Sequence, residues 1–425
     1  MSITKISGTS ISGAAFGLIL GLSALASGAQ AQDCTTKIGA VLPTSVDWGR
    51  PIAETAQFAV DQVNAAGGAA GCQIEMVLRD TQVDPKIGVD AAKALVDLEG
   101  VNVLLGAVSS GVSMPILTSV TVPGGVMQMS CCSSSTAFTG LSQEGKTNGL
   151  WFRTFATTGV QSAVGAKVAA DKGYKSVAVL YKNDDWGQDM ARLIAADFAA
   201  VGVEVTASVA INDAQPNYRA EVTEALKSQP EALYLALYPA EGTSAVREWI
   251  SLGGTQNMIL ANSLKSDEFR ENVGLQYLGS ALGTDTASPR SDRADAFRSA
   301  YKDRFDSEPN GPGLPNSYDA AMIALLAMEA AGKDASGADI AAAVARVTDP
   351  DGTPISADTA GFTQAKDILK VGRNVMFQGA TGNVRFDKNG DVSAPAVVWS
   401  FTDEGAQEVE YMSLNDVDAF ITSLK

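Results

Sequence analysis

The 425-residue chain contains no histidine. Histidine is the side chain that changes charge near neutral pH. Its absence removes the commonest general base, every Ser-His or Cys-His dyad and any imidazole metal site. Cysteine is scarce too. Cys34, Cys72, Cys131 and Cys132 show no C-x-x-C spacing and are too few for a zinc site. Basic residues are in deficit, 31 against 48 acids. That balance argues against nucleic acid and anionic membranes as partners, since both are held by basic patches. Beyond the N-terminus no apolar run approaches the ~18 uncharged residues of a membrane span. The chain is therefore expected to be neither a metal protein nor directly membrane-inserted, and serine or cysteine catalysis has no base to work with.

What is present begins with a leader pattern. MSITKISGTS carries one lysine and no acid, SGAAFGLILGLSALASG is apolar but short, and Ala29-Gln30-Ala31 completes an A-x-A site. Residues 1–31 are expected to be a signal peptide cleaved after Ala31, with export to the periplasm. Gln32 and Asp33 are polar and do not suit a lipid-linked Cys34. In an oxidising compartment the cysteines matter as pairs. Cys34 opens CTTKIGAVL and Cys72 opens CQIEMVL, both at the beginnings of strand-like segments. If those strands are parallel neighbours, a Cys34–Cys72 disulfide is geometrically plausible. Cys131 and Cys132 are left side by side, as a vicinal disulfide or as two small buried thiols, with a structural or pocket-lining role favoured over redox chemistry.

The chain is too long for one core and predicts two domains. KIGAVLP, CQIEMVLRD, VNVLLGA and GGVMQMS read as strands, separated by helical ETAQFAVDQVNAAGG, DPKIGVDAAKALVDLEG and the segment SSGVSMPILTSVTV. From residue 151 a second series repeats the plan, with strands SVAVLYK, EVTASVAI, ALYLALYP and NMILAN between helices. GTDTASPRSDRADAF changes composition and reads as a crossover. Helices near 292–306 and 316–332 follow with no new sheet to cover, so the chain is expected to return to the first domain. Asn389-Gly390 in NVRFDKNGDVSAPAVVWSFTDEG predicts a hairpin turn. The fold class is α/β, two doubly wound parallel-sheet lobes with a ligand cleft at the carboxyl ends of their strands.

KIGAVLPTS followed by DQVNAAGGAAGCQIEMVLRDTQVDPK resembles the opening of the leucine-binding, branched-chain amino-acid class of periplasmic solute-binding proteins. VNVLLGAVSSGVS, VAVLYKNDDWGQDM, NSYDAAMIALLAMEAAG and FQGATGNVRFDKNGD resemble later segments of that class in the right order. The resemblance implies a type I fold joined by three crossover segments. Residues 32–153 plus 286–382 would form the N-terminal lobe, and 154–285 plus 383–425 the C-terminal lobe. It also implies a protein that closes by a hinge on a small solute, a branched-chain amino acid or a related carboxylate or amide, and delivers it to the permease of an ABC importer; a monomer without cofactor is expected. A receptor-type sensor for an aromatic acid or urea-like amide is the alternative.

The candidate site residues follow. In GAVSSGVS, Ser109 and Ser110 stand where a strand becomes a helix, with hydroxyls and free backbone N–H groups suited to a ligand oxygen. The resemblance adds Ser133 and Ser134 as holders of the head group. It places Trp48 on the first lobe, facing Trp186 and Tyr238 on the second, with Tyr318 a further candidate. Relatives that bind amino acids usually carry an acid after the strand matching MILANSLKSDEF, and here Ser263 stands nearest, followed by Lys265. Either Glu241 or Asp267 supplies that charge from a shifted position, or the ligand is not an α-amino acid. DKNGD lacks the twelfth-position glutamate of a calcium loop, Val398 standing there. NAAGGAAG precedes a strand rather than a helix, which excludes a dinucleotide fingerprint.

Overall fold

The computed structural model describes residues 34–213 and 215–425; the expected signal peptide and its cleavage site lie outside them. Strands β1 (Thr35–Leu42), β2 (Gln73–Asp80), β3 (Val103–Gly106), β4 (Met127–Ser130) and β5 (Trp151–Arg153) form a parallel sheet in the order β2-β1-β3-β4-β5. A second sheet takes β6 (Ser176–Lys182), β7 (Glu204–Ile211), β8 (Ala232–Ala236), β9 (Met258–Leu260) and β10 (Leu282–Thr286), all parallel. The order 2-1-3-4-5 and its counterpart in the second sheet are those of doubly wound sheets, as expected.

The residue pattern explains both layers. In β6, Val177 and Val179 enter one core while Ala178 and Leu180 enter another; β8 does the same with Tyr234 and Leu235. Helices cover both faces, so these strands read as unbroken apolar runs rather than alternating ones. The helix Leu314–Ala331 is buried almost throughout its first fifteen residues, and it packs with Ile38, Leu105 and Met129 of the first sheet. The return to the first lobe is therefore present. It also brings β11 (Thr353–Ser356), β12 (Val375–Gly379) and β13 (Gly382–Asn383), a small three-stranded sheet.

The chain then crosses back. β14 (Ala396–Thr402) pairs antiparallel with β10, and β15 (Gly405–Met412) with β14. This corrects two expectations. The hairpin lies at Asp403-Glu404, not at Asn389-Gly390. Gly390 does adopt a left-handed φ of 79°, but the turn is closed by its own acid: the Asp387 carboxylate accepts from the N–H groups of Asn389 and Asp391. The loop docks on β5, where Arg153 N–H donates to the Gly390 carbonyl at 3.0 Å. Second, GTDTAS does not begin as a crossover. Gly283–Thr286 belong to β10, with Gly283 letting Trp399 of β14 lie directly on the backbone. Chain passages between β5 and β6, after β10, and between β13 and β14 join the two lobes.

Among the described residues no helix is long and apolar enough to cross a membrane. Cys34 and Cys72 are bonded at 2.04 Å beside the paired starts of β1 and β2, where Thr35 lies opposite Gln73. Cys131 and Cys132 are joined to each other.

Candidate functional site

β3 and β4 end side by side, and the turns beyond them build one wall of a cavity. Ser109 is extended and leads into the helix Ser110–Ile116. After β4, Ser130 Oγ donates to the Ala107 carbonyl at 2.6 Å and accepts from the Ser133 N–H at 3.0 Å, folding the cysteine-serine stretch back on itself. The three serines then alternate. Ser133 and Ser135 point into the protein, while Ser134 reaches the cavity. Ser110 Oγ accepts from the Ser135 N–H at 3.2 Å, tying the two turns together.

Behind this bed lies Arg153, a charged residue with no exposed surface. Its guanidinium donates to the carbonyls of Ser133 (3.2 Å) and Ser135 (2.7 Å), to Thr139 Oγ1 and to the Asp391 carboxylate at 2.7 Å. An uncompensated buried charge is expensive, so the arginine is held by a set of partners that fully uses its donors. One residue thus fixes the serine turn and anchors the third crossing through Asp391.

The facing wall comes from the second lobe. Tyr238, after β8, stacks between Trp48 of the first lobe and Trp186, with centroids 5.5 and 5.3 Å apart. Its hydroxyl donates to Ser109 Oγ at 2.9 Å, and burial drives its pKa well above the ordinary value. Ser109 Oγ in turn donates to Asp184 at 3.4 Å. Asp184 caps the helix Asp185–Ala200 by accepting from Gly187 N–H, yet burial pushes its pKa up to about 6. A second tie joins the lobes nearby. Asp189 accepts from both the N–H (2.7 Å) and the hydroxyl (2.6 Å) of Thr136, and Arg192 braces the same pair.

Trp48, Ser109, Ser110, Ser134, Trp186, Tyr238 and Ser263 therefore line one cavity of about 50 Å³ between the lobes. Two expected residues are placed elsewhere. Ser133 is fully buried, its hydroxyl bonded to Ser113 Oγ at 2.8 Å and to the Val108 carbonyl. Tyr318 sits in the first lobe's core against Phe58 and Phe297, its hydroxyl within hydrogen-bond reach of the Gln62 side chain and the Ala357 carbonyl. The family resemblance suggested Ser133, and Tyr318 was a further candidate; side-chain alternation along the turn and the core-facing side of a buried helix place both away from the cavity. Cys132, expected as structural or pocket-lining, joins the cavity; Ile52, Val108, Phe155, Asn262, Pro312 and Gly313 complete the lining and were not read from sequence. Gly313 carried a usable signal: its φ of 76° sits in GPGLP, and a Cβ there would meet Cys132 Sγ at 2.5 Å.

The charged candidates also find their places. Lys265 pairs with Asp285 at 3.3 Å in an adjoining cleft of about 670 Å³. Glu241 pairs with Lys182 in another of about 550 Å³, which shares Trp48 and Tyr238 with the central cavity. Asp267 begins an exposed helical turn beside Arg270.

A cleft between two doubly wound lobes, lined by hydroxyls and aromatic rings from both, defines a two-lobed small-molecule binding protein. The chain belongs to the periplasmic binding protein family, whose sequence model matches residues 35–384. It is 26% identical over 83% of both chains to the chemotactic signal transduction system substrate-binding protein BasB of Halobacterium salinarum. It is 27% identical to the Leu/Ile/Val-binding protein BraC3 of Rhizobium johnstonii, over 72% of this chain and 82% of that one. The fold is that of the leucine-binding protein of Thermotoga maritima (TM-score 0.72, 23% identity, 90% and 99% of the chains). It is shared by a Streptococcus pneumoniae branched-chain amino acid transporter substrate-binding protein in complex with isoleucine (TM-score 0.70, 20% identity, 88% and 99% covered). A Rhodopseudomonas palustris solute-binding protein in complex with 3,4-dihydroxybenzoic acid has it as well (TM-score 0.68, 18% identity, 89% and 98% covered).

Proposed function

We propose that this chain captures a small solute outside the cytoplasm by hinge closure of its two lobes and delivers it, unchanged, to the permease of an ABC importer. The observation that carries the reading is a cavity whose walls come from the carboxyl edges of both sheets, with Ser109 of one lobe bonded to Tyr238 and Asp184 of the other. Such a site can exist only when the lobes approach, so a solute filling it favours the closed arrangement by its own differential affinity. In this reading Trp48, Ser109, Ser110, Ser134, Trp186, Tyr238 and Ser263 hold the ligand. Lobe boundaries at 32–153 with 286–382 and 154–285 with 383–425, and a monomeric state, belong to the same proposal. Leucine, isoleucine and valine are the solutes that relatives' names suggest, and aromatic acids the ones a structural neighbour suggests.

A thermal-shift screen tests the reading. A solute at about 100 times its dissociation constant stabilises the fold by roughly 2.7 kcal/mol. A stabilising solute recovered chemically intact is the expected result; turnover of the solute would replace binding with catalysis. A second reading, a soluble sensor that hands its closed form to a signalling receptor, draws on the relative named for chemotactic signal transduction. Solute uptake by a strain lacking the protein separates the two: import fails to be lost if sensing is its role.

A further inference from the structure

Within the solute-binding reading, we infer that the cavity selects an uncharged solute with a flat body and an amide-type head group, and rejects α-amino acids. Among the described residues, no Asp, Glu, Lys or Arg lines it. The charged groups around it are already committed: Lys265 to Asp285, Lys182 to Glu241, Arg153 to Asp391 and two carbonyls, and Asp184 to Gly187 N–H. An ammonium enclosed here would lose its water and gain no counter-charge, a cost of several kcal/mol for an unpaired ion.

The polar groups that remain are neutral and of both kinds. Ser110 Oγ accepts a backbone N–H, and its own proton has no acceptor among the described residues. Ser134 Oγ is likewise met only as an acceptor, from Thr158. Both hydroxyls can donate to a ligand oxygen. Across the cavity, Ser263 Oγ spends its proton on the Leu237 carbonyl at 2.7 Å and is left as an acceptor. The Asn262 side-chain amide has no partner among the described residues and can do either. Donors on one wall and acceptors on the other match a carbonyl oxygen and an N–H of a single planar amide. A carboxylate would fit the donors but not the acceptors. The acidic adjoining cleft, with Asp47, Asp84, Asp213, Glu241 and Glu268 around the one Lys182, opposes an anion's approach as well. The flanking rings of Trp48, Tyr238 and Trp186 favour a flat body.

Calorimetric titration of the full chain with two matched series tests this. One series is 4-methylpentanamide, 4-methylpentanoate and leucine; the other compares benzamide with benzoate, and 3-phenylpropanamide with phenylalanine. The expected result is that each amide binds at least tenfold tighter than its carboxylate and amino-acid counterparts, with benzamide ahead of 4-methylpentanamide. Ser263→Asp and the isosteric Asn262→Asp should then raise affinity for leucine and phenylalanine at least tenfold while weakening the amides. Either variant suffices if the other does not fold. An amino acid or carboxylate binding the unaltered protein as well as its amide does overturns the inference and leaves the solute-binding reading standing. Failure of every probe in both series to bind would instead overturn the solute-binding reading together with the inference.

Discussion

The two walls of the cleft are built by opposite means. On the first lobe, the serine bed is a rigid backbone feature: Ser130 and Ser133 bond to carbonyls and to Ser113, Ser110 takes the Ser135 N–H, and the buried Arg153 locks the turn from behind. On the second lobe, the wall combines Ser263 and Asn262 with the rings of Tyr238 and Trp186, and Tyr238 takes its hydroxyl's hydrogen bond from the other side, at Ser109. One wall is finished before the lobes meet, and the other is completed by their meeting. In the proposed reading, the first lobe offers a preformed bed and the second lobe's rings complete the site on closure.

The largest effect should come from breaking the finished wall. Arg153→Met leaves Asp391 buried without its partner, and removing one member of a buried pair costs about 3–5 kcal/mol. Urea unfolding should show that loss, and a probe such as benzamide should cease to bind even where the variant stays folded, because the Ser133 and Ser135 carbonyls are released. If stability and binding both survive, the bed does not depend on its arginine.

The contact between the walls should show itself through pH. Burial raises the Asp184 carboxyl from 3.8 to about 6 in the folded protein, with the neighbouring Asp185 also raising it and Lys182 and the Gly187 and Trp186 N–H groups opposing the shift. The folded state therefore binds the proton more tightly than the unfolded chain. This contribution to stability is fully present below pH 3.8 and is lost as pH rises through 6, by about 3 kcal/mol in all. Asp184→Asn should flatten the stability profile between pH 4 and 6 relative to the unaltered protein, which denaturation at fixed pH steps would measure. A profile unchanged by the substitution would mean that Asp184 is solvated in the functional protein.

The ring wall should respond in affinity rather than in folding. Trp186→Ala removes one face of the stack and should weaken benzamide about tenfold to a hundredfold, in line with the apolar area lost. Asp189→Asn, which loosens the Thr136 tie away from the cavity, should cost less, about threefold to tenfold, through a lower population of the closed arrangement. A ratio in the reverse order would place closure, not ring contact, at the head of the energetics.

The asymmetry also tells why the sequence was readable in one place and opaque in another. The doubly wound sheets announce themselves because strands such as SVAVLYK are buried on both faces, and the leucine-binding resemblance adds the order of crossings. Trp48, Ser110 and Trp186 were legible because each follows a strand end. Ser133 and Tyr318 were not separable from true lining residues, since a one-residue shift along a turn or one turn around a helix moves a side chain from cavity to core. Pro312 and Gly313 reach the cavity from more than a hundred residues beyond β5, and only the tertiary return of the chain brings them there. Arg153 gave a faint signal, a lone charge in an otherwise apolar strand, WFRTF.

The smallest effect concerns the feature that looks most chemical. Cys34–Cys72 closes a separation of 38 residues, while Cys131–Cys132 closes a separation of 1. A disulfide acts mainly by shrinking the unfolded ensemble, and by that measure the first is worth roughly 4 kcal/mol and the second almost nothing. Replacing Cys34 and Cys72 by alanine should therefore lower unfolding stability by about that amount. Replacing Cys131 and Cys132 should cost only the lost sulfur packing, about 1 kcal/mol, since Cys131 is buried in the first lobe's core and Cys132 faces Gly313. Thiol titration in denaturant without reductant supplies the check on the bonding itself. No free thiol is expected, and two would mean that the neighbouring sulfurs are unlinked. What the pair contributes is then shape: it holds Cys132 against Gly313 at the cavity's edge, so its loss should be felt by the ligand more than by the fold.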